Sequence, residues 1–387
     1  MTAAEYRAQS QRLDGELLAT IGRWHRDGGS IGPAAFDDFA LRLLQHQLEF
    51  NRPYARYCRH LGMTSDSLPD SWEGIPAVPA AAFKEVALAT FDPSRAALSF
   101  QTSGTTTGNS GRHYFETAAL YDAALLAAFD RFVLPDGARL QYFNLVPNPA
   151  DRPGSSLGYM MARVARERGA ATTGWYVRGD DLDDARLERD LRSASADGRP
   201  VCIAATAFAL AAAIEALERR DVRLQLPFGS RVMETGGFKG RARAIERDEL
   251  YARTGERFGL SESAIVAEYG MTELTSQYYD DVLVRSRAAS APYEARRKLA
   301  PPWLKTRVAG PDGRTLPAGT VGTLVHVDLA NRSSCLAIAT EDLGVWFDAT
   351  PQRSAGLVLI GRERGAELRG CSLDAETLLA RSGWASA

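Results

Sequence analysis

The sequence predicts an α/β fold, with a largely parallel sheet and flanking helices, followed by a small β-rich subdomain. Three observations carry this. Between about residues 116 and 268, short apolar runs alternate with longer segments whose apolar residues recur every three or four positions. After about Pro301 the helical spacing stops, and strand-like runs follow one another across Gly, Pro and Asp turns. The chain of 387 residues is 45% hydrophobic and 24% charged, the balance of a globular protein with a sizeable core.

Taken in order, the spacing predicts amphipathic helices over 4–24 and 34–50, separated by Asp27-Gly28-Gly29-Ser30 and Pro33. Pro76 and Pro79 keep 74–79 extended, because proline disfavours the helical region for the residue before it. Helices are expected at 116–132, 157–168, 182–196, 207–219 and 244–258, alternating with strands at 140–146, 172–177, 201–205, 231–234 and 264–268. Such alternation implies crossover connections and parallel pairing. Strands at 304–308, 322–327 and 356–360 suggest a mainly antiparallel subdomain, and 373–380 is helix-like. Three parts follow: an N-terminal helical segment (1–70), an α/β core (71–300) and a β-rich subdomain (301–387).

Composition narrows the function. With 46 basic and 48 acidic side chains, net charge −2, the chain has no bias toward a polyanionic partner. No run approaches the roughly 20 apolar residues of a membrane span, and residues 1–12 hold Glu5, Arg7 and Arg12 without an apolar signal region. Cys58, Cys202, Cys335 and Cys371 are scattered, without a CxxC pair, and the five histidines form no HExxH pattern. The expectation is a soluble, cytoplasmic protein with free thiols, no nucleic-acid partner and no membrane partner.

Four segments could carry chemistry. Thr102-Ser103-Gly104-Thr105-Thr106-Thr107-Gly108 and its continuation to Gly111 combine glycines with hydroxyls, which suits an anion-binding concavity; alone, it reads equally as a surface loop. Tyr269-Gly270-Met271-Thr272-Glu273 follows a predicted strand, where ligands of open α/β sheets gather. Glu273 could hold Mg²⁺ on a nucleotide phosphate, or simply start the next helix. Thr235-Gly236-Gly237-Phe238-Lys239-Gly240-Arg241 could lay backbone against a planar base and bring cations to phosphate, or be a solvated turn. In Thr340-Glu341-Asp342-Leu343-Gly344, followed by Gly361-Arg362, Asp342 could bind the two hydroxyls of a ribose, or sit in an acidic turn between strands.

In this order, residues 102–108, 269–273, 340–342 and 361–362 resemble the motifs of the adenylate-forming superfamily of acyl-CoA synthetases, peptide-synthetase adenylation domains and luciferases. Ile75-Pro76-Ala77-Val78-Pro79 with Phe83-Lys84, Glu234 to Lys239, Tyr269 to Leu274 with Ser276-Gln277, and Leu368-Arg369-Gly370-Cys371-Ser372-Leu373 narrow the resemblance to the LuxE-type acyl-protein synthetases. It runs from about residue 70 to the C-terminus.

That resemblance implies the large-domain fold of adenylate-forming enzymes, ATP and Mg²⁺ as cofactors, and a carboxylic acid substrate, fatty by family default. It implies that Thr102 to Gly108 grip the ATP phosphates and that Thr235, Gly236, Gly237, Tyr269, Gly270 and Met271 line the nucleotide. Thr272 and Glu273 would meet the α-phosphate and Mg²⁺, Asp342 and Arg362 the ribose, and Cys371 would carry the acyl group as a thioester for a reductase or carrier protein, or a small nucleophile. The sequence departs from the superfamily in two places. An extra threonine precedes Gly108 and the usual loop lysine is missing, so Arg112 could replace it; the lid domain with its catalytic lysine is expected to be absent, leaving Lys239 as the candidate α-phosphate cation. Tyr142, Phe143, Tyr159, Met160 and Phe208 are candidates to border the acid.

Overall fold

A computed structural model describes residues 3–102, 111–170, 173–179, 181–236, 247–287, 296–351 and 353–362. Contacts group the chain into two units: 1–127, 271–277 and 299–387 in the first, 128–270 and 278–298 in the second. The units interleave along the chain, so the three-part linear division expected from the sequence does not map onto them one to one.

The chain opens with three helices, α1 (Ala3–Asp27), α2 (Pro33–Phe50) and α3 (Arg52–His60). Pro33 begins α2, where its missing N–H costs nothing, and the Asn51 side chain caps α3 by accepting from the Tyr54 N–H at 3.2 Å. Next come β1 (Val78–Pro79), the short α4 (Ala82–Glu85), the antiparallel pair β2 (Leu98–Gln101) and β3 (Arg112–Phe115), and α5 (Ala119–Phe132).

The alternating stretch then follows: β4 (Gln141–Pro147), α6 (Ser156–Arg168), β5 (Gly174–Arg178), β6 (Asp181–Leu182), α7 (Asp184–Ala196), β7 (Val201–Thr206), α8 (Ala207–Arg219), β8 (Arg231–Thr235), α9 (Arg247–Phe258) and β9 (Ile265–Tyr269). The remaining elements are β10 (Tyr278–Asp280), α10 (Val282–Arg287), β11 (Lys298–Leu299), β12 (Leu304–Ala309), β13 (Val321–Asp328), β14 (Ala337–Phe347) and β15 (Gly356–Arg362). The expected helix at 373–380 lies outside the described residues.

In the second unit the strands lie in the order β10-β9-β8-β7-β4-β5-β6. The pairs β9/β8, β8/β7, β7/β4 and β4/β5 are parallel, while β10 and β6 add antiparallel edges. This is the largely parallel sheet expected. Helices cover its faces, which is why β7, Val-Cys-Ile-Ala-Ala-Thr, is a nearly continuous apolar run. Phe143, Leu145, Ile203, Val232 and Ile265 from the strands pack with Leu210, Ile214 and Leu217 of α8 in one buried cluster. Ser155, Asp183 and Thr206 cap α6, α7 and α8 through side-chain oxygens.

In the first unit β12, β13, β14 and β15 form an antiparallel sheet, and β1 pairs with β14 in parallel. The N-terminal helices hold the turn after β13. Gln47 donates to the Asn331 carbonyl at 2.8 Å and accepts from the Leu336 N–H at 2.9 Å, and buried Arg332 bonds Asp14 (2.8 Å) and Glu116 (2.7 Å). Trp24 meets Trp303 edge-on at 5.2 Å.

Gly158, in the first turn of α6, shows how tightly helix and sheet approach in the second unit. A β-carbon there would sit 2.5 Å from the Pro147 carbonyl oxygen at the end of β4. Gly158→Ala gains about 1 kcal/mol of helix propensity but adds an overpacking cost of about 1–3 kcal/mol. Urea titration is expected to show a lower midpoint for the variant with an unchanged slope.

Candidate functional site

In the first unit the hydroxyl- and glycine-rich segment is closed at its base. Gln101 pairs with Arg112 across β2 and β3. One residue further in, the Thr102 N–H donates to the Gly111 carbonyl at 2.8 Å, and the Gly111 N–H donates to Thr102 Oγ1 at 2.9 Å. A side chain at Gly111 would press to 2.7 Å from the Phe83 carbonyl, so glycine permits this close approach. Phe83 thus packs against the Thr102–Gly111 closure. Ser103, Gly104, Thr105, Thr106, Thr107 and Gly108 lie outside the described residues.

β3 carries His113 into the interior, where its Nδ1 lies 2.9 Å from the Thr272 carbonyl. A carbonyl only accepts, so the ring proton sits on Nδ1. Burial pushes this imidazole down to about 4, against the raising effect of the Thr272 bond, and it is neutral near pH 7.

Met271, Thr272 and Glu273 form a turn, closed by the Leu274 N–H on the Met271 carbonyl at 3.1 Å, rather than the start of a helix. Glu273 is 8% exposed. Asn331 donates to the Glu273 carbonyl at 2.9 Å and accepts the Thr275 hydroxyl at 2.5 Å. The buried Asp328 carboxylate accepts the N–H groups of Thr275 (3.0 Å) and Ser276 (2.8 Å) and the Ser276 hydroxyl (2.9 Å). Burial pushes Asp328 up to about 6, although these bonds pull the other way.

Thr340 to Gly344 lie within the long strand β14, not in a turn between strands. Asp342 stands opposite Arg362 in the β14/β15 register. The Asp342 N–H donates to Thr340 Oγ1 at 3.0 Å, and that hydroxyl donates to the Leu324 carbonyl at 3.0 Å.

In the second unit β8 and β9 end side by side, with Thr235 paired to Glu268 in parallel register. The Thr235 hydroxyl donates to the Glu268 carboxylate. Gly236 follows β8, and Tyr269 and Gly270 close β9, at the carboxyl ends where ligands of such sheets collect. Gly237 and Lys239 are outside the described residues. Buried charge underlies these strand ends: Glu234 accepts the Tyr251 hydroxyl at 2.8 Å, and Lys298 donates to the Ala267 carbonyl at 2.6 Å with Asp280 at 3.9 Å. Burial raises Glu234 and lowers Lys298 to about 8, the carboxylates holding the ammonium up. Phe143, a candidate for the acid pocket, instead stacks on Tyr176 at 5.6 Å inside the core cluster.

Cys58, Cys202 and Cys335 are buried. Burial pushes Cys58 and Cys202 up to about 12 and raises Cys335 well above the usual thiol range, so all three are inert thiols near neutral pH. Cys371 lies outside the described residues. The sequence reading missed His113, Asp328 and Asn331. Asp328 and Asn331 carry only a turn signal, which says nothing of what the turn grips, and a single histidine on a strand carries no signal at all.

The fold is that of the adenylate-forming ligases. The chain is similar to the crystal structure of an open conformation of 2-hydroxyisobutyryl-CoA ligase in complex with 2-HIB-AMP and CoA, at 15% identity and a TM-score of 0.64, over 85% of this chain and 69% of that one. It is also similar to the same ligase in the postadenylation state in complex with R3-HIB-AMP, at 17% identity and a TM-score of 0.65, over 85% and 67%. The family model "Acyl-protein synthetase, LuxE" matches residues 33–379, and the chain belongs to this family. Among curated proteins no sequence match was found. Among the described residues no helix is long and apolar enough to cross a membrane.

The buried charges give a testable consequence. Lys298→Met takes the ammonium from the Ala267 carbonyl and from buried Glu234, while Asp280 keeps Arg296 at 2.8 Å, a loss that typically costs about 1–3 kcal/mol. Guanidinium unfolding should register a loss of that order, and a double variant with Glu234→Gln should recover part of it.

Proposed function

We propose that the protein transfers AMP from ATP to a carboxylic acid and then passes the acyl group to the thiol of Cys371, for delivery to a reductase, a carrier protein or a small nucleophile. The observation that carries this reading is the Thr272–Glu273 turn. Glu273 is a nearly buried residue, and the backbone of the turn is held from both sides, by His113 at Thr272 and by Asn331 at Glu273.

Among the described residues no three His, Cys, Asp or Glu side chains converge on a metal position. Mg²⁺ keeps most of its shell for water and phosphate oxygens, so one carboxylate from the protein can hold it. Glu273 would hold the ion, whose charge neutralises the phosphates when it is bound. Thr102 and the segment it closes would grip those phosphates, with Lys239 as the cation at the α-phosphate. Thr235, Gly236 and Gly237 would face the adenine beside Tyr269 and Gly270, and Asp342, with Arg362 across the ladder, would take the ribose hydroxyls.

In the first step a carboxylate oxygen of the acid bonds to the α-phosphorus, and the bond to the β-phosphate bridging oxygen breaks, releasing pyrophosphate. Positioned donors and cations lower this barrier by stabilising charge that grows at the α-phosphate. In the second, a thiolate attacks the acyl carbon and AMP leaves. The resemblance gives that part to Cys371, and the other three cysteines, buried and held as thiols, do not compete for it.

The test is intact-protein mass spectrometry with Mg-ATP and a panel of carboxylic acids, with pyrophosphate recorded in the same tubes. The expected result is acid-dependent pyrophosphate and a hydroxylamine-labile adduct on the Cys371 peptide. Cys371→Ala should keep the pyrophosphate and lose the adduct. Glu273→Gln should lower the adenylation rate about 10²–10³-fold with an unchanged melting temperature. Pyrophosphate without an adduct would mean that the adenylate hands its acyl group directly to another acceptor, such as a small thiol or amine. No acid-dependent pyrophosphate at all would overturn the reading.

A further inference from the structure

We propose that His113 is a positioning residue for adenylation: its Nδ1–H holds the Thr272 carbonyl and so fixes the Thr272–Glu273 turn against the strand that closes the hydroxyl-rich segment. The inference rests on the function proposed above for its catalytic consequence, not for the contact itself.

The ring is set for one task. It is fully buried, with the Phe83 ring edge-on at 5.6 Å and the Phe115 ring at 4.1 Å. Its Nε2 is buried and has no hydrogen-bond partner among the described residues. Leucine or phenylalanine would fill such a place without a bare ring nitrogen, so packing does not account for histidine here. What histidine adds is the Nδ1–H at 2.9 Å from the Thr272 oxygen.

The geometry ties two motifs together over a short path. Gly111 is fixed twice to Thr102 and lies against the Phe83 backbone, and His113 is two residues further on, in β3. Thr272 and Glu273 are thereby referenced to the base of the phosphate-gripping segment, and Asn331 holds the far side of the turn. A misplacement of about 1 Å at a catalytic constellation can cost about 10²-fold in rate.

Three variants separate positioning from packing. His113→Asn keeps an N–H at the position of Nδ1, His113→Gln moves it out to the position of Nε2, and His113→Leu removes it. Leu and Gln are expected to lower kcat for acid-dependent pyrophosphate release by up to about 10²-fold, with KM for Mg-ATP changed far less, and Asn to restore much of kcat. Equal losses for Asn and Gln, or losses that follow melting temperature, would overturn the proposal. Selective ¹⁵N-histidine NMR reads the contact without any activity: the signal lost in His113→Leu should belong to an Nδ1–H tautomer. An Nε2–H tautomer would refute the contact. Wild-type protein without acid-dependent pyrophosphate, but with the Nδ1–H tautomer, would sink the function and with it the catalytic role, while leaving the contact standing.

Discussion

A carboxylate sealed from water must find donors elsewhere, and Asp328 finds them in the segment that follows Glu273. Four bonds converge on it, from Thr275, Ser276 twice, and Ala330. Without them the buried charge would be costly, and the group would take up a proton instead. With them, the backbone of a turn rich in functional side chains loses its freedom. The organisation of the first unit radiates from this point. Asn331, three residues on, grips Glu273 and Thr275, and Gln47 of α2 grips Asn331 in turn. The helices at the N-terminus are therefore part of what holds the Thr272–Glu273 turn in place, although they contribute little to the motif pattern.

The alternating region was legible because its physics is local and repetitive. Strands buried on both faces are mostly apolar, and the helices between them show a stripe at helical spacing, so β4, β7, β8 and β9 could be found within a residue or two of their ends. Elements defined by partners far away in sequence were not. β14 holds Glu341, Asp342 and Gly344, residues poor at forming strands. It is a strand because β13 and β15 pair with it on either side, and a reader of sequence alone sees a turn. α3 has no counterpart among the elements expected from the sequence; it begins with the Asn51 side chain as its cap and Pro53 in its first turn.

The same division runs through the site. Residues whose chemistry is displayed by composition, such as the hydroxyl run and Thr272-Glu273, stood out in the sequence. Residues that hold them did not, because His113, Asp328 and Asn331 act through backbone carbonyls and N–H groups at sequence separations of 159, 53 and 58. A backbone group has no sequence signature, so its partner cannot be guessed from residue types.

The pair of hydrogen bonds between Thr102 and Gly111 also bears on the extra threonine before Gly108. Because these two pins fix Thr102 against Gly111, the number of residues between them in sequence is decoupled from the register of β3. Lengthening a closed loop by one residue in eight costs only about 0.1 kcal/mol of closure entropy. Insertions can therefore accumulate between the pins during evolution while β3 and its histidine keep their register, so segment length is a tunable variable and the anchor pair is the fixed frame.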